Sequence, residues 1–141
     1  MLQNTTQPPR YRVGDEELVT VIADFLALGH VDNIIAMIRQ ESRYIAWIGR
    51  LLEDERYSVR IGVLVLLEEL MSLHFDHLSL ALPGLIRRLQ HPVEWVRGEA
   101  ASALGIIGSA DALAALPSLL NDPSPQVAEI VRDILEEAHH G

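Results

Sequence analysis

The sequence contains no cysteine and no lysine. The first absence excludes disulfides, iron–sulfur clusters, thiolate zinc sites and a cysteine nucleophile, and leaves the redox compartment open. The second makes all eleven basic residues arginine, so each cationic side chain is a planar donor suited to bidentate pairing with carboxylates. Long hydrophobic runs are missing too. Although 49% of the residues are apolar, no stretch approaches the roughly 20 residues that cross a bilayer. The densest, Ile61 to Leu67, runs directly into Glu68 and Glu69. Met1 to Arg12 is polar, carries Pro8 and Pro9, and lacks the basic start and apolar middle of a signal peptide. Residues 1–13 are therefore expected to form a flexible leader, and residues 14–141 one domain of a cytoplasmic protein. Basic charge is scarce: twenty acidic residues face eleven basic ones, a net charge of −9. A field of that sign repels nucleic acid and anionic lipid, though it leaves room for a local basic patch. No Gly-rich phosphate loop, Ser-His-Asp arrangement or HExxH pattern occurs.

What the sequence does contain is a repeat. Three segments align when Asp54, His91 and Asp122 are set in register. Five residues later stand Val59, Val96 and Val127; four beyond those, Val63, Ala100 and Val131. Then come Leu66, Ala103 and Ile134, each followed by leucine: Leu67, Leu104 and Leu135. Upstream, Leu52, Leu89 and Leu120 form one column, Ile48, Leu85 and Leu116 a second, and Ile45, Leu82 and Leu113 a third. Apolar spacings of three, four and seven mark one buried stripe on each of two helices. Each unit is thus a helix, a turn and a second helix, with the reference residue in the turn. An aspartate there can accept hydrogen bonds from unpaired N–H groups at the next helix start. Pro92, Pro123 and Pro125 suit a turn or a first helical turn. The units are offset by 37 and then 31 residues, the surplus lying around Met71 to His77. Two helices per period in the thirties predict an all-α, α-α superhelix: a solenoid of about eight helices in antiparallel pairs.

The ends depart from this register. Asp15 to Leu28 reads as a helix with Asp15 as N-cap, Leu18, Ile22, Phe25 and Leu26 on its apolar face, and Gly29 as terminator. Val31 to Gln40 reads as a second helix burying Ile34, Ile35 and Ile38. The pair, within residues 14–42, is expected to be an atypical N-terminal cap ahead of repeats at 43–72, 78–108 and 110–139. The polar last helix, from Gln126, is expected to cap the other end.

The residues Leu51-Leu52, Asp54 and Val59-Arg60 in one unit, and Val96-Arg97, Ala100, Ala103-Leu104-Gly105 and Ile107-Gly108 in the next, carry a further signal. Leu119-Leu120, Asp122 and Val127 continue it. This pattern resembles HEAT repeats, especially the short bacterial PBS-lyase HEAT-like repeats, over roughly residues 43 to 138. The resemblance implies an aspartate–arginine ladder between neighbouring units, with Arg60 and Arg97 as its bases and Asp54 and Asp122 as its acids. Arg97 is expected to pair with either Asp54 or Asp122, and His91 and Ala128 to interrupt the ladder. The resemblance also implies a surface made by the second helices. Its expected partner-binding residues are Arg56, Glu94, Trp95, Glu99, Ser102, Gln126, Glu129, Arg132 and Asp133, joined by Glu68, Glu69 and Glu136. That mainly acidic surface suits another protein bearing a basic or amphipathic element. Trp95 aligns with Ser58 and Gln126, so it is expected to face outward as an interface anchor. Tyr44 and Trp47, three apart, are expected to extend the core.

Other chemistry carries less weight. His74, Asp76 and His77 are a candidate metal-ligand set, but a catalytic site would want a further protein ligand whose source is not evident, and Asp76 or His77 also suits the start of the next helix. His139 and His140 belong to the frayed tail, and His30 suits a helix C-terminus. Some HEAT-like hydroxylases use adjacent His-Glu pairs for iron, and no His-Glu dipeptide occurs here. No catalytic residue, cofactor or metal is therefore expected. The leading reading is a non-catalytic protein-interaction scaffold. A bilin-lyase-like enzyme or enzyme subunit is one alternative; nucleic-acid binding through Arg56, Arg60, Arg87 and Arg88 is another. Self-association through apolar end surface, with Ile130 where the other units have Gly62 and Glu99, is a separate expectation for a homodimer.

Overall fold

The computed structural model describes residues 14–140, and their regular structure is helical throughout. The expectation for residues 1–13 lies outside the described residues. The chain forms α1 (Asp15–Ala27) and α2 (Val31–Gln40), then a 3-10 segment (Ser42–Trp47) running into α3 (Ile48–Leu51), and α4 (Tyr57–Ser72). A second 3-10 segment (Leu78–Ala81) runs into α5 (Leu82–Arg88), followed by α6 (Glu94–Ile107). α7 (Ala110–Ala114) leads to a last 3-10 segment (Pro117–Leu119) and α8 (Pro125–His140). Among the described residues no helix is long and apolar enough to cross a membrane.

Four helices make one row: α1 packs on α4, α4 on α6 and α6 on α8. The broken helices lie behind them, with Ser42–Trp47 and α3 against Leu78–Ala81 and α5. The third is broken for a local reason. Pro117 has no N–H and its ring crowds the preceding turn, so the third such helix changes from α to 3-10 there. α1, rather than α2, continues the row; α2 bridges α1, the Ser42–Trp47 segment and α4.

The aligned apolar columns form the core. Ile45, Ile48, Leu52, Val59, Val63, Leu66 and Leu67 are buried, as are Leu82, Leu85, Leu89, Val96, Ala100, Ala103 and Leu104. In the last unit Leu116, Val127 and Val131 are buried, but Leu113, Leu120, Ile134 and Leu135 are only half-buried. Ile34, Ile35 and Ile38 of α2 are buried as expected. Phe25 is not fully on the buried face: it stays 37% exposed, while Ala23 takes a core position. Tyr44 and Trp47 pack against the core with ring centroids 5.1 Å apart, and the Arg43 guanidinium covers both rings.

Helix ends show two departures from expectation. Gly14, not Asp15, caps α1, and its N–H donates to Glu17 Oε1 at 3.4 Å. Asp15, Glu16 and Glu17 instead fill the first turn, where negative charge opposes the positive end of the helix dipole. At its other end Gly29 adopts φ 85°; its N–H donates to the Leu26 carbonyl and that of His30 to the Phe25 carbonyl. The same pair of bonds closes α4, from His74 to Met71 and from Phe75 to Leu70, with His74 at φ 57°. His74 is thus a left-handed helix cap that lacks the usual glycine. His74→Gly is expected to stabilise the protein by about 0.5–1 kcal/mol, because it relieves the Cβ crowding of that conformation. Urea unfolding checks this, and a loss of stability would mean that the imidazole makes a contact outweighing the strain.

Candidate interaction surface

The three turns between paired helices use one device. Asp54 Oδ1 accepts from the Arg56 N–H at 2.9 Å, and Asp122 Oδ2 from the Ser124 N–H at 2.9 Å. His91 replaces aspartate without losing that bond, since its Nδ1 accepts from the Val93 N–H at 3.0 Å. This geometry requires a bare Nδ1, so the ring proton sits on Nε2, which faces Glu53 at 3.6 Å. At α8 a further cap appears: the buried Ser124 hydroxyl accepts from the Val127 N–H at 3.3 Å, with Pro125 at the first helical position where its missing N–H costs nothing.

The ladder expected from the repeat forms between the second and third units. Arg97 makes a fork to Asp122, Nε to Oδ1 and Nη2 to Oδ2, both at 2.9 Å. Its Nη1 also donates to the carbonyls of His91 and Pro92. Asp122 is only 4% exposed in its side chain. Hydrogen bonding from Arg97 holds this carboxyl below its ordinary range against the opposing effect of burial, and raises the arginine in turn. Asp54 pairs within its own unit with Arg56, through both carboxylate oxygens, and this lowers the Asp54 carboxyl similarly. Arg56 also reaches Asp24 of α1 at 2.9 Å.

Arg60 shows what happens where the ladder is interrupted. Its register partner would be His91, which offers no carboxylate. Arg60 Nε instead donates to Glu99 Oε2 at 2.8 Å, and Nη1 to the carbonyls of Asp54 and Glu55. Glu99, expected to face outward, is thereby drawn in and is 16% exposed. The fixed guanidinium lies 4.2 Å from the Trp95 ring centroid and 5.4 Å from that of Tyr57. Trp95 is consequently half-buried rather than free, whereas Tyr57 is 63% exposed. Cation–π contact and the ion pair together fix an aromatic surface before any partner arrives.

Two grooves meet on this face. One, of about 630 Å³, is lined by Tyr57, Arg60, Glu94, Trp95, Glu99 and Gln126, with Gly98 and Ile130 between them. The other, of about 650 Å³, runs between α6 and α8 past Ser102, Ile106, Asp133, Ile134 and Glu137 to Leu113 of α7. Ile130 lines both. Gly98 and Gly105 let α8 lie close to α6: a Cβ at Gly98 would stand 3.4 Å from Ile130 Cδ1, and one at Gly105 would stand 2.9 Å from Ile134 Cδ1.

The expected partner-binding residues are therefore distributed unevenly. Glu94, Trp95, Glu99 and Gln126 line the first groove, and Ser102 and Asp133 the second. Arg56 sits at the turn between Asp54 and Asp24, Glu129 is exposed outside both grooves, and Arg132 lies elsewhere on α8 with Leu120, Leu135 and Glu136. Tyr57, Ile61 and Val65, an exposed apolar stripe on α4, were not among them. Their spacing of four signals one helix face, but the surrounding run of apolar residues hides which face is buried.

The remaining candidates have structural partners. Arg56, Arg60 and Arg88 pair with Asp54, Glu99 and Glu53, so three of the four arginines considered for nucleic acid face carboxylates. His77 packs edge-on to Phe75 at 5.6 Å. Among the described residues no group of three or more histidine or acidic side chains is placed to hold a metal ion.

Residues 46–136, well over half of the chain, match the family described as HEAT repeats. No curated protein and no solved structure matches the chain. The paired helices, the aligned core columns and the Arg97–Asp122 link agree with that match: the chain belongs to the HEAT-repeat family.

Proposed function

We propose that this chain is a non-catalytic scaffold that binds another protein through the exposed face of α4, α6 and α8. HEAT repeats commonly serve as protein-interaction scaffolds. The observation that carries the reading for this chain is the stack of Tyr57, Arg60 and Trp95, locked by Glu99. It presents, at Trp95, an aromatic ring already packed against a fixed guanidinium, which lowers the entropic cost of binding. Aromatic residues held this way are typical anchors of an interface. The acidic residues around the grooves oppose pairing of this face with itself, so another protein is favoured over a second copy of the chain. The finer likeness to PBS-lyase repeats rests on Val96-Arg97 and Ala103-Leu104-Gly105, and no lyase activity is carried over with it.

Affinity capture from native lysate tests this reading, using wild type and Trp95→Ala with matching far-ultraviolet circular dichroism. Specific proteins retained by wild type and reduced at least about tenfold with Trp95→Ala are the expected result, equivalent to about 1.4 kcal/mol. Equal capture by both would remove Trp95 and its groove from the interface.

A further inference from the structure

The two grooves form one valley over α6. Along α6 the outward side is low, with Gly98 buried beneath Ile130 and the small Ser102 half-buried, before it rises again at Ile106. On α4, Ile61 and Val65 hold the register positions of Gly98 and Ser102, and both are exposed. On α8, Ile130 and Ile134 stand half-buried along the opposite side. Adjacent helix axes lie about 8–10 Å apart, so the axes flanking α6 are separated by roughly 16–20 Å. A helix about 10 Å across fits above Ser102 between them. From Trp95 to Ile106 the valley is roughly 16 Å long at 1.5 Å per residue, or three helical turns.

The occupant's backbone must also be accounted for. The valley is made of helix faces, so it offers no sheet edge to which an extended peptide could add a strand. Few side-chain amides are present to replace such an edge; Gln126 is the one lining the grooves. An occupant lying on an apolar floor must therefore satisfy its own N–H and C=O groups, which a helix does. Charge sets the rest. Glu94, Asp133 and Glu137 line the valley, and no ion pair among the described residues includes any of them. Arg60 and Glu99 neutralise each other. The rim is thus negative and the floor aliphatic.

Building on the scaffold reading, we propose that the valley over α6 receives a basic amphipathic helix from a partner protein. Its apolar face lies on Ile61, Val65, Ile106 and Ile130, and its arginines or lysines face Glu94, Asp133 and Glu137.

The test uses the full chain and a fluorescein-labelled peptide of about four helical turns, with leucine on one face and lysine on the other. Anisotropy titrations compare it with a scrambled peptide of the same composition and with one carrying glutamate in place of lysine. The expected result is saturable binding of the amphipathic basic peptide alone, weakened by salt. Asp133→Arg with Glu137→Arg is expected to weaken it at least about tenfold. Asp32→Arg with Asp111→Arg changes net charge equally, at exposed positions that line neither groove, and is expected to leave affinity within about twofold. Equal binding of the scrambled peptide, equal weakening by the two charge reversals, or absence of binding would each overturn the proposal. Trp95-dependent capture from lysate in the absence of peptide binding would reject the helical occupant while retaining the scaffold reading. Peptide binding without such capture would retain the helical occupant and remove Trp95 as its anchor.

Discussion

Arg97→Ala is expected to lower the unfolding free energy by about 3 kcal/mol, within the range for removing one partner of a buried pair. The side chain closes the chain's one fork between consecutive repeats among the described ion pairs, Arg97 to Asp122, and it also satisfies the carbonyls of His91 and Pro92. Its removal leaves Asp122 almost wholly buried and without its counter-charge. In a chain of this size the loss corresponds to roughly 10 °C in Tm, measured by thermal unfolding. Arg97→Lys is expected to recover only part of it, because an ammonium cannot reproduce the fork. A pH dependence follows. Asp122 is held below the ordinary carboxylate range by Arg97, so its contribution is complete above the unfolded value of about 4 and is lost as pH falls through the lowered folded value. Asp122→Asn is expected to flatten that acid limb, and an unchanged limb would show that other carboxylates, such as Asp54, set it.

Gly62→Val is expected to be nearly as damaging, by about 2–3 kcal/mol through overpacking. A Cβ at Gly62 would lie 2.9 Å from both Leu26 Cβ and the Leu26 carbonyl oxygen, so the obstacle includes the backbone of α1. Either α1 moves off α4 or α4 bends. Gly105 is an informative contrast. The nearest atoms to a Cβ there are Cδ1, Cγ1 and Cγ2 of Ile134, at 2.9, 3.0 and 3.1 Å, so the obstacle is a β-branched side chain with a restricted χ1 on the last helix rather than backbone. Gly105→Ala is therefore expected to cost less than Gly62→Val, at most about 1 kcal/mol, because overpacking against Ile134 is offset by the helix-propensity gain of alanine over glycine. Chemical denaturation of both variants distinguishes a backbone obstacle from a side-chain one. Similar losses in both would mean that α8 is held as rigidly as α1.

The core was legible in the sequence because apolar spacing reports directly on a helix face. The columns led by Val59, Val63 and Leu66 occupy the core where the chain supplies neighbours on both sides. α2 was equally plain, since Ile34, Ile35 and Ile38 define one stripe between polar ends. Where a feature depends on what another element supplies, the spacing was silent. Glu99 shares its column with Gly62 and Ile130, and only the replacement of aspartate by His91 explains why Arg60 draws it inward. The Arg97 partner stayed open because Asp54 and Asp122 are chemically alike, and only the packing of α6 against the following unit shows that the arginine faces Asp122. The cap at His74 was not legible because left-handed caps are usually marked by glycine, and the mark is missing here. Tyr57, Ile61 and Val65 sat unnoticed within an apolar run whose two faces differ only in what packs against them.

The placement of the partner on the α4–α6–α8 face is tested most directly by photo-crosslinking in the native host. A benzophenone amino acid is placed at Ser102 in the valley and, separately, at Leu80 or Ile86, which are exposed on the opposite layer. The account predicts a discrete, light-dependent adduct with another protein from position 102 and none from positions 80 or 86. Adducts from the opposite layer, with none from position 102, would contradict it.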